Sequence, residues 1–299
     1  MSIACLIVGK GYIGTSLQNY LSTLSSIKTV ETVNRSKFDY TNDDLLFEKL
    51  TELKTSHDEV AVINCVGYTG KPNVDACEKD ENKPDCWYLN ALLPAKLASV
   101  SKRANCKFIH ISSGCIYDNY DKCYTEDDTP NFGLYSNRSS FYSKSKHAAE
   151  ESLKAIDYGV VFRIRMPFCN DLSNSRNTLY KLTKYTRLIS HENSMTSVSE
   201  LTVFVGKFIE GNYFTKSFDI YNVVNEGIIT NKIIVAIFKK FNLDKKWLFV
   251  DDTELKMIAN RSNTVISTDK IKSIGLQLPE VIGSIQACIR DRYNHVHNE

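Results

Sequence analysis

The chain lacks what several classes of protein require. No apolar run among its 299 residues approaches the ~18–20 needed to span a bilayer. No basic stretch precedes its first apolar residues, as a secretion signal would have. It is expected to start near Met1, to be cytoplasmic and to have no membrane partner. A surplus of one charge is also missing, since 37 Lys and Arg face 35 Asp and Glu for a net +2. The densest basic clusters, Lys239-Lys240 and Lys245-Lys246, are short pairs, which argues against a nucleic-acid partner. Proline is scarce at 6, glycine stands at 13, and no repeat or low-complexity tract occurs, which excludes disordered and collagen-like chains. Nine cysteines, odd in number and irregular in spacing, read as reduced thiols and not as a disulfide framework, and no paired Cys-x-x-Cys motif suggests a metal.

What is present is a regular alternation. Residues 3–8 form a continuous apolar run, the mark of a strand buried on both faces, and lead into a glycine loop and a helix-spaced stretch at 15–22. Further strands are expected at 28–33, 60–66, 107–112 and 160–165, with helices at 43–54, 84–103 and 142–156 between them. This order implies an α/β Rossmann-like doubly wound parallel sheet over residues 1–165. Beyond residue 166 the alternation fades into a polar stretch at 170–176, helices at 178–187, 198–210 and 231–241, a strand at 220–224 and a weakly patterned tail. That pattern suits a smaller, irregular substrate domain over 166–299, with the segment 198–224 a candidate to return to the first domain.

Gly9-x-Gly11-x-x-Gly14, with Tyr12 and Ile13 inside it, lets the backbone turn tightly against a pyrophosphate at the positive end of the next helix. The motif is weak alone and gains force from the buried strand before it and the helix it opens. Where an NAD site carries an acid on the ribose 2′-hydroxyl, this chain reads Asn34-Arg35-Ser36, and Arg35 with Ser36 suit a 2′-phosphate, hence NADPH. Glu31 competes as an acid but stands mid-strand.

Tyr142 and Lys146, at i and i+4, share a helix face. An ammonium there should favour the phenolate and ease proton exchange with a ketone oxygen. Tyr180 with Lys184 repeats the spacing, but only Tyr142 follows a strand ending in Ser113, at the carboxyl edge where open α/β sheets bind ligands. Cys115 lies two residues further along that edge. A thiol works as an acid or base when a cation stands near, and Lys181 and Arg176 are both candidates for that cation. The other eight cysteines read as small buried hydrophobes.

With strand, loop, Ser113, Tyr142 and Lys146 in order, the chain resembles the extended short-chain dehydrogenase/reductases. Within them the stretches 63–78, 113–117, 126–132, 141–146, 163–167, 171–177 and 193–196 are similar to the bifunctional UDP-4-keto-6-deoxy-glucose 3,5-epimerases/4-reductases of UDP-rhamnose synthesis. The resemblance implies a Ser113, Tyr142, Lys146 reductase triad, and Cys115 with Lys181 for epimerisation. It implies coenzyme contacts from Gly67, substrate contacts from Thr69, Lys71, Asn170, Arg176 and Asn193, a UDP-sugar substrate and a homodimer. Three departures stand out: a glycine loop one residue short at Lys10, an insertion at 134–139 before Tyr142, and no family block past residue 242. A reductase without epimerase activity, similar to dTDP-4-dehydrorhamnose reductase, and a non-catalytic dinucleotide-binding regulatory subunit are the competing expectations.

Overall fold

Every residue of β1 (Ile3–Val8) is buried, and its side chains serve two cores in strict alternation. Ile3, Cys5 and Ile7 face one layer of helices, while Ala4, Leu6 and Val8 face the other. The computed structural model describes residues 2–243 and 245–296. In it β1 is flanked by β2 (Ile27–Val33) and β3 (Glu59–Asn64), followed by β4 (Lys107–Ser113), β5 (Val160–Ile164) and, with β6 (Arg187–Leu188) lying outside the sheet, β7 (Asp219–Asn222). The order β2-β1-β3-β4-β5-β7 is parallel throughout. Crossovers leave β1 in both directions, so the crevice beyond its carboxyl end is the topological switch point where such sheets bind ligands. The expected doubly wound α/β fold is the one found.

Helices α1 (Tyr12–Leu21) and α7 (Val198–Glu210) cover one face. On the other lie α2 (Asp43–Ser56), α4 (Leu93–Arg103) and α5 (Phe141–Ile156). Residues 198–222 therefore pack on the sheet, although chain from the irregular part precedes them. A third core joins α6 (Thr178–Lys184), α8 (Asn231–Lys240) and α10 (Val281–Val296) through Leu179, Leu182, Ile234, Phe238, Ile285 and Ile289. Among the described residues no helix is long and apolar enough to cross a membrane.

The helix expected over 178–187 ends at Lys184, before Arg187 enters β6, and the strand expected at 220–224 ends at Asn222; two further elements differ from expectation for local reasons. The strand expected at 60–66 stops at Asn64, whose side-chain oxygen accepts from the Val66 N–H at 3.0 Å and bends the chain out of the sheet. The helix expected over 84–103 is interrupted. A short α3 (Lys83–Trp87) passes through a π-turn at Tyr88–Leu92 before α4 begins, and π-turns concentrate at functional positions. The tail past residue 242 adds β9 (Leu248–Phe249), paired with β6, then α9 (Asp269–Ser273) and β10 (Leu278–Glu280), paired with β8 (Asn225–Glu226), ahead of α10.

Candidate active site

At the carboxyl end of β1, Gly9 has φ +108°, a conformation that side chains disfavour. A Cβ on Gly14 would stand 1.9 Å from the Gly9 carbonyl oxygen, whereas one on Gly11 would meet nothing within 4 Å. The turn is closed beneath and open above, and Gly11 caps α1 without any side-chain hydrogen bond. The first N–H groups of α1 are therefore available to an anion. Ile13 packs into the core under the sheet. Tyr12 turns its buried hydroxyl toward Cys169 and Asp171, and burial pushes that phenol up. Both residues thus offer the turn their backbone.

At the end of β2, Asn34 accepts from Ser36 Oγ at 2.9 Å and from the Lys37 N–H at 3.2 Å, forming a turn that leaves Arg35 exposed. Glu31 is occupied by Lys49 at 3.0 Å. Gly67 is exposed beyond β3, and a Cβ there would lie 3.5 Å from both Asn90 Oδ1 and Lys146 Nζ. An open turn, an exposed guanidinium beside a hydroxyl, and a bare glycine over the ammonium fit a phosphorylated dinucleotide laid across the sheet edge.

Asn90, which the sequence did not single out, holds this edge in place. From within the π-turn it accepts from the Tyr68 N–H at 2.7 Å and donates to the Tyr68 carbonyl at 2.9 Å and to Ser145 Oγ at 3.0 Å. It ties the loop after β3 to α5. A polar residue inside an apolar helical stretch was the only signal.

Ser113 ends β4, and its hydroxyl faces the phenol of Tyr142 and acts to lower it. Helix α5 starts just before Tyr142 because the Ser140 hydroxyl accepts from the Ser143 N–H at 3.1 Å. One turn on, Lys146 is buried and donates to the Ile111 carbonyl at 3.3 Å. Burial pulls the ammonium down to about 8. The phenol moves the other way from expectation. Burial first, then Cys115, push Tyr142 up against the pull of Ser113, because loss of water penalises the phenolate. At neutral pH Tyr142 holds its proton. The rival pair is a surface contact, with Lys184 Nζ 5.1 Å from the centre of the Tyr180 ring.

Cys115 is half-buried and its N–H donates to Ser113 Oγ at 3.2 Å. The cation hydrogen-bonded to its sulfur is neither Lys181 nor Arg176. It is Arg165, with Nη1 3.7 Å away. Lys181 lies on α6, where burial, then Arg176 and Arg261, hold its ammonium below the usual lysine range. Arg176 donates to Thr69 Oγ1 and to the Gly70 carbonyl at 2.9 Å, which brings Thr69 to this cluster. Lys71 and Asn170 are exposed. Asn193 is buried and committed: its oxygen accepts from Arg165 and from the Thr264 N–H at 3.2 Å, and its nitrogen donates to Asn263 at 3.2 Å. It secures Arg165. Of the nine cysteines only five are buried; Cys65, Cys115 and Cys169 are half-buried and Cys123 is exposed.

The segment 259–263, in the unassigned tail, closes the cleft. The Ala259 N–H donates to Asp75 at 3.0 Å, Arg261 pairs with Asp75 at 2.8 Å, and Asn260 donates to the Arg138 carbonyl at 2.7 Å. Ser262 Oγ donates to the Tyr117 carbonyl. Among the described residues no cluster of metal-ligating side chains occurs.

The chain is 31% identical over 258 residues to a trifunctional UDP-glucose 4,6-dehydratase/UDP-4-keto-6-deoxy-D-glucose 3,5-epimerase/UDP-4-keto-L-rhamnose-reductase of Arabidopsis thaliana. The match takes in 83% of this chain and 36% of that protein, so the chain spans about a third of the length of this relative. Its fold is shared with a UDP-rhamnose synthase of Acanthamoeba polyphaga mimivirus, at a TM-score of 0.81 and 23% identity over 96% of this chain and 98% of that one. It is also shared with dTDP-4-dehydrorhamnose reductase of Bacillus anthracis, solved in complex with NADP, at a TM-score of 0.78 and 20% identity over 97% and 99% of the two chains. A family model, that of the RmlD substrate binding domain, matches residues 3–294, nearly the whole chain. With a glycine turn at the switch point, Ser113 against Tyr142 at the sheet edge and this match along its length, the chain belongs to the RmlD substrate binding domain family.

Proposed function

We propose that the protein is a bifunctional 3,5-epimerase/4-reductase that converts UDP-4-keto-6-deoxy-D-glucose to UDP-L-rhamnose with NADPH. Residues 1–165 together with 198–224 serve the coenzyme, and the remainder of 166–299 serves the sugar nucleotide. The observation that carries this reading is the gathering of Ser113, Tyr142 and Cys115 at the end of β4, two hydroxyls and a thiol of the kind that a ketone oxygen and its neighbouring carbons require.

A ketone at C4 acidifies the hydrogens on C3 and C5. Cys115 removes a proton as base, with Lys181, held below its usual range, as its partner acid. Ser113 and Tyr142 hydrogen-bond the enolate oxygen that develops at C4. NADPH, when bound, supplies hydride to C4. Tyr142 then gives its proton to the C4 oxygen, a task suited to a phenol that burial keeps protonated. Lys146, beneath Gly67, holds the coenzyme's ribose edge. One oxygen-binding pair thus serves both reactions.

The test is deuterium wash-in. Held in deuterated water with the 4-keto sugar nucleotide and no NADPH, the wild type is expected to place deuterium at C3 and C5. Cys115→Ser should slow this about 100-fold at one or both carbons yet still reduce a pre-epimerised 4-keto-rhamnose nucleotide. Undiminished exchange in the variant would leave a plain 4-reductase.

A further inference from the structure

Arg165 stands just past β5 and is 1% exposed. Its Nη1 reaches the Gly114 carbonyl at 3.0 Å, Ser262 Oγ at 2.9 Å and Cys115 Sγ at 3.7 Å. Its Nη2 reaches Asn193 Oδ1 and, at 3.2 Å, the Ser262 carbonyl. Its Nε is buried without an acceptor. Among the described residues no carboxylate forms an ion pair with it; of the acids around Tyr120, which Arg165 also faces, Asp118 pairs with Arg138, Asp252 meets His191, and Glu192 is exposed.

A guanidinium does not shed its proton at any working pH, and a buried charge with neutral partners alone is costly to keep. Four of its acceptors are carbonyl, amide or hydroxyl oxygens, which stay neutral. The fifth is a thiol, which ionises readily beside a cation. The aromatic groups around the pair do not compete for the charge. Tyr142 faces Cys115 from α5 and keeps its proton. Tyr120 faces Arg165, and burial, against the pull of Arg165, pushes its phenol up to about 12.

We propose that Arg165 is the counter-ion of a Cys115 thiolate, and so the positioning residue that makes this thiol the base of the epimerisation. As thiolate, the sulfur takes a hydrogen from the sugar carbon as a proton, the electron pair stays behind as the enolate, Lys181 returns a proton to the opposite face of that carbon, and both groups then re-equilibrate their protons with solvent. No oxidant is involved. Arg165 touches the sulfur and not the sugar. The chemical role rests on the epimerase reading above; the thiolate–guanidinium pair does not.

The alternative is a purely structural arginine that ties the 114–115 loop to Ser262. To separate the two, the alkylation rate of each cysteine by iodoacetamide is followed by peptide mass spectrometry between pH about 5 and about 10, in wild type, Arg165→Gln and Arg165→Lys. Exposed Cys123 is the internal reference, raised first by burial and then by its neighbours Asp269, Glu226, Asp128 and Glu126. In the wild type Cys115 should react with a midpoint below the ordinary thiol value of about 8.5, and so well below that of Cys123. In Arg165→Gln the Cys115 midpoint should rise by at least about one pH unit while Cys123 stays put, and Arg165→Lys should recover at least half of the shift. An unmoved Cys115 midpoint in Arg165→Gln overturns the proposal. Should that variant fail to fold, the wild type decides alone, because a Cys115 midpoint at or above the ordinary thiol value of about 8.5 overturns it equally. A low midpoint without deuterium exchange at C3 or C5 would instead keep the ion pair and sink the epimerase assignment.

Discussion

Arg163 and Arg165 are two residues apart and both are buried, yet the fold treats them in opposite ways. Arg163 meets Glu150 through two nitrogens, at 2.8 and 3.1 Å, and donates to Tyr117 at 2.9 Å, while Ser112 donates to the other side of the same carboxylate. Its charge is closed inside the sheet side of the molecule. Arg165 has only neutral oxygens and a thiol. Arg176, too, donates to a hydroxyl and a carbonyl, near Lys181 and Arg261. The difference separates scaffold from chemistry: Arg163, answered by a carboxylate, holds β5 to α5, whereas Arg165, with no carboxylate partner among the described residues, is left to the sulfur of Cys115.

Four experiments break or sharpen that division. The largest effect is expected from Tyr142→Phe, which removes a proton donor and no packing. Reduction of the 4-keto sugar should fall by about 1,000-fold with the thermal midpoint nearly unchanged, and a comparable loss of stability would mean that the phenol is part of the scaffold after all.

Glu150→Gln acts on the closed side and should invert this pattern. Stranding the Arg163 charge is expected to cost about 3 kcal/mol, read as a shifted urea midpoint. A cost under about 1 kcal/mol would show that the pair is not a structural one.

Lys146 probes the border between the two sides. With its ammonium pulled down to about 8, NADPH affinity should decline as pH rises through that value, by up to about tenfold per unit, when followed by nicotinamide fluorescence. In Lys146→Arg the decline should vanish, since arginine keeps its charge. Stability runs the other way. Between about 8 and about 10.4 the unfolded chain still binds the proton that the folded chain has lost, so unfolding free energy rises with pH over that window.

The smallest effect falls at the exposed Arg35. Arg35→Ala should raise the KM for NADPH about fivefold, the loss of one solvent-screened phosphate contact, and leave that for NADH unchanged. Equal effects on both would remove Arg35 from the site.

Much of the sheet could be read beforehand because burial on both faces leaves an unbroken apolar run, as in β1, and because a tight turn over a helix end demands glycine at positions 9 and 14. The i, i+4 spacing of Tyr142 and Lys146 placed both on α5 for the same kind of local reason. The opposite shift of Tyr142 was not legible, since desolvation depends on everything packed around a group and not on its chain neighbours. Arg165 and Ser262 were missed as partners because nothing periodic connects residues 97 apart. The available hint was a second arginine at the end of a run otherwise built for burial. Asn90 and the 259–263 segment act from a π-turn and from irregular chain, where backbone geometry rather than pattern sets the side-chain direction.

The distance along the chain between Arg165 and Ser262 also has a consequence in time. At about 5–20 residues per second, the ribosome adds Ser262 roughly 5–20 s after Arg165, while β1 to β5 are already complete. During that interval the nascent sheet must leave its carboxyl edge wet around the guanidinium, because the chain that will exclude water from it has yet to be made. The cleft is therefore among the last parts of the molecule to be finished, and a message cut short before residue 262 would yield a sheet with its edge permanently open to solvent.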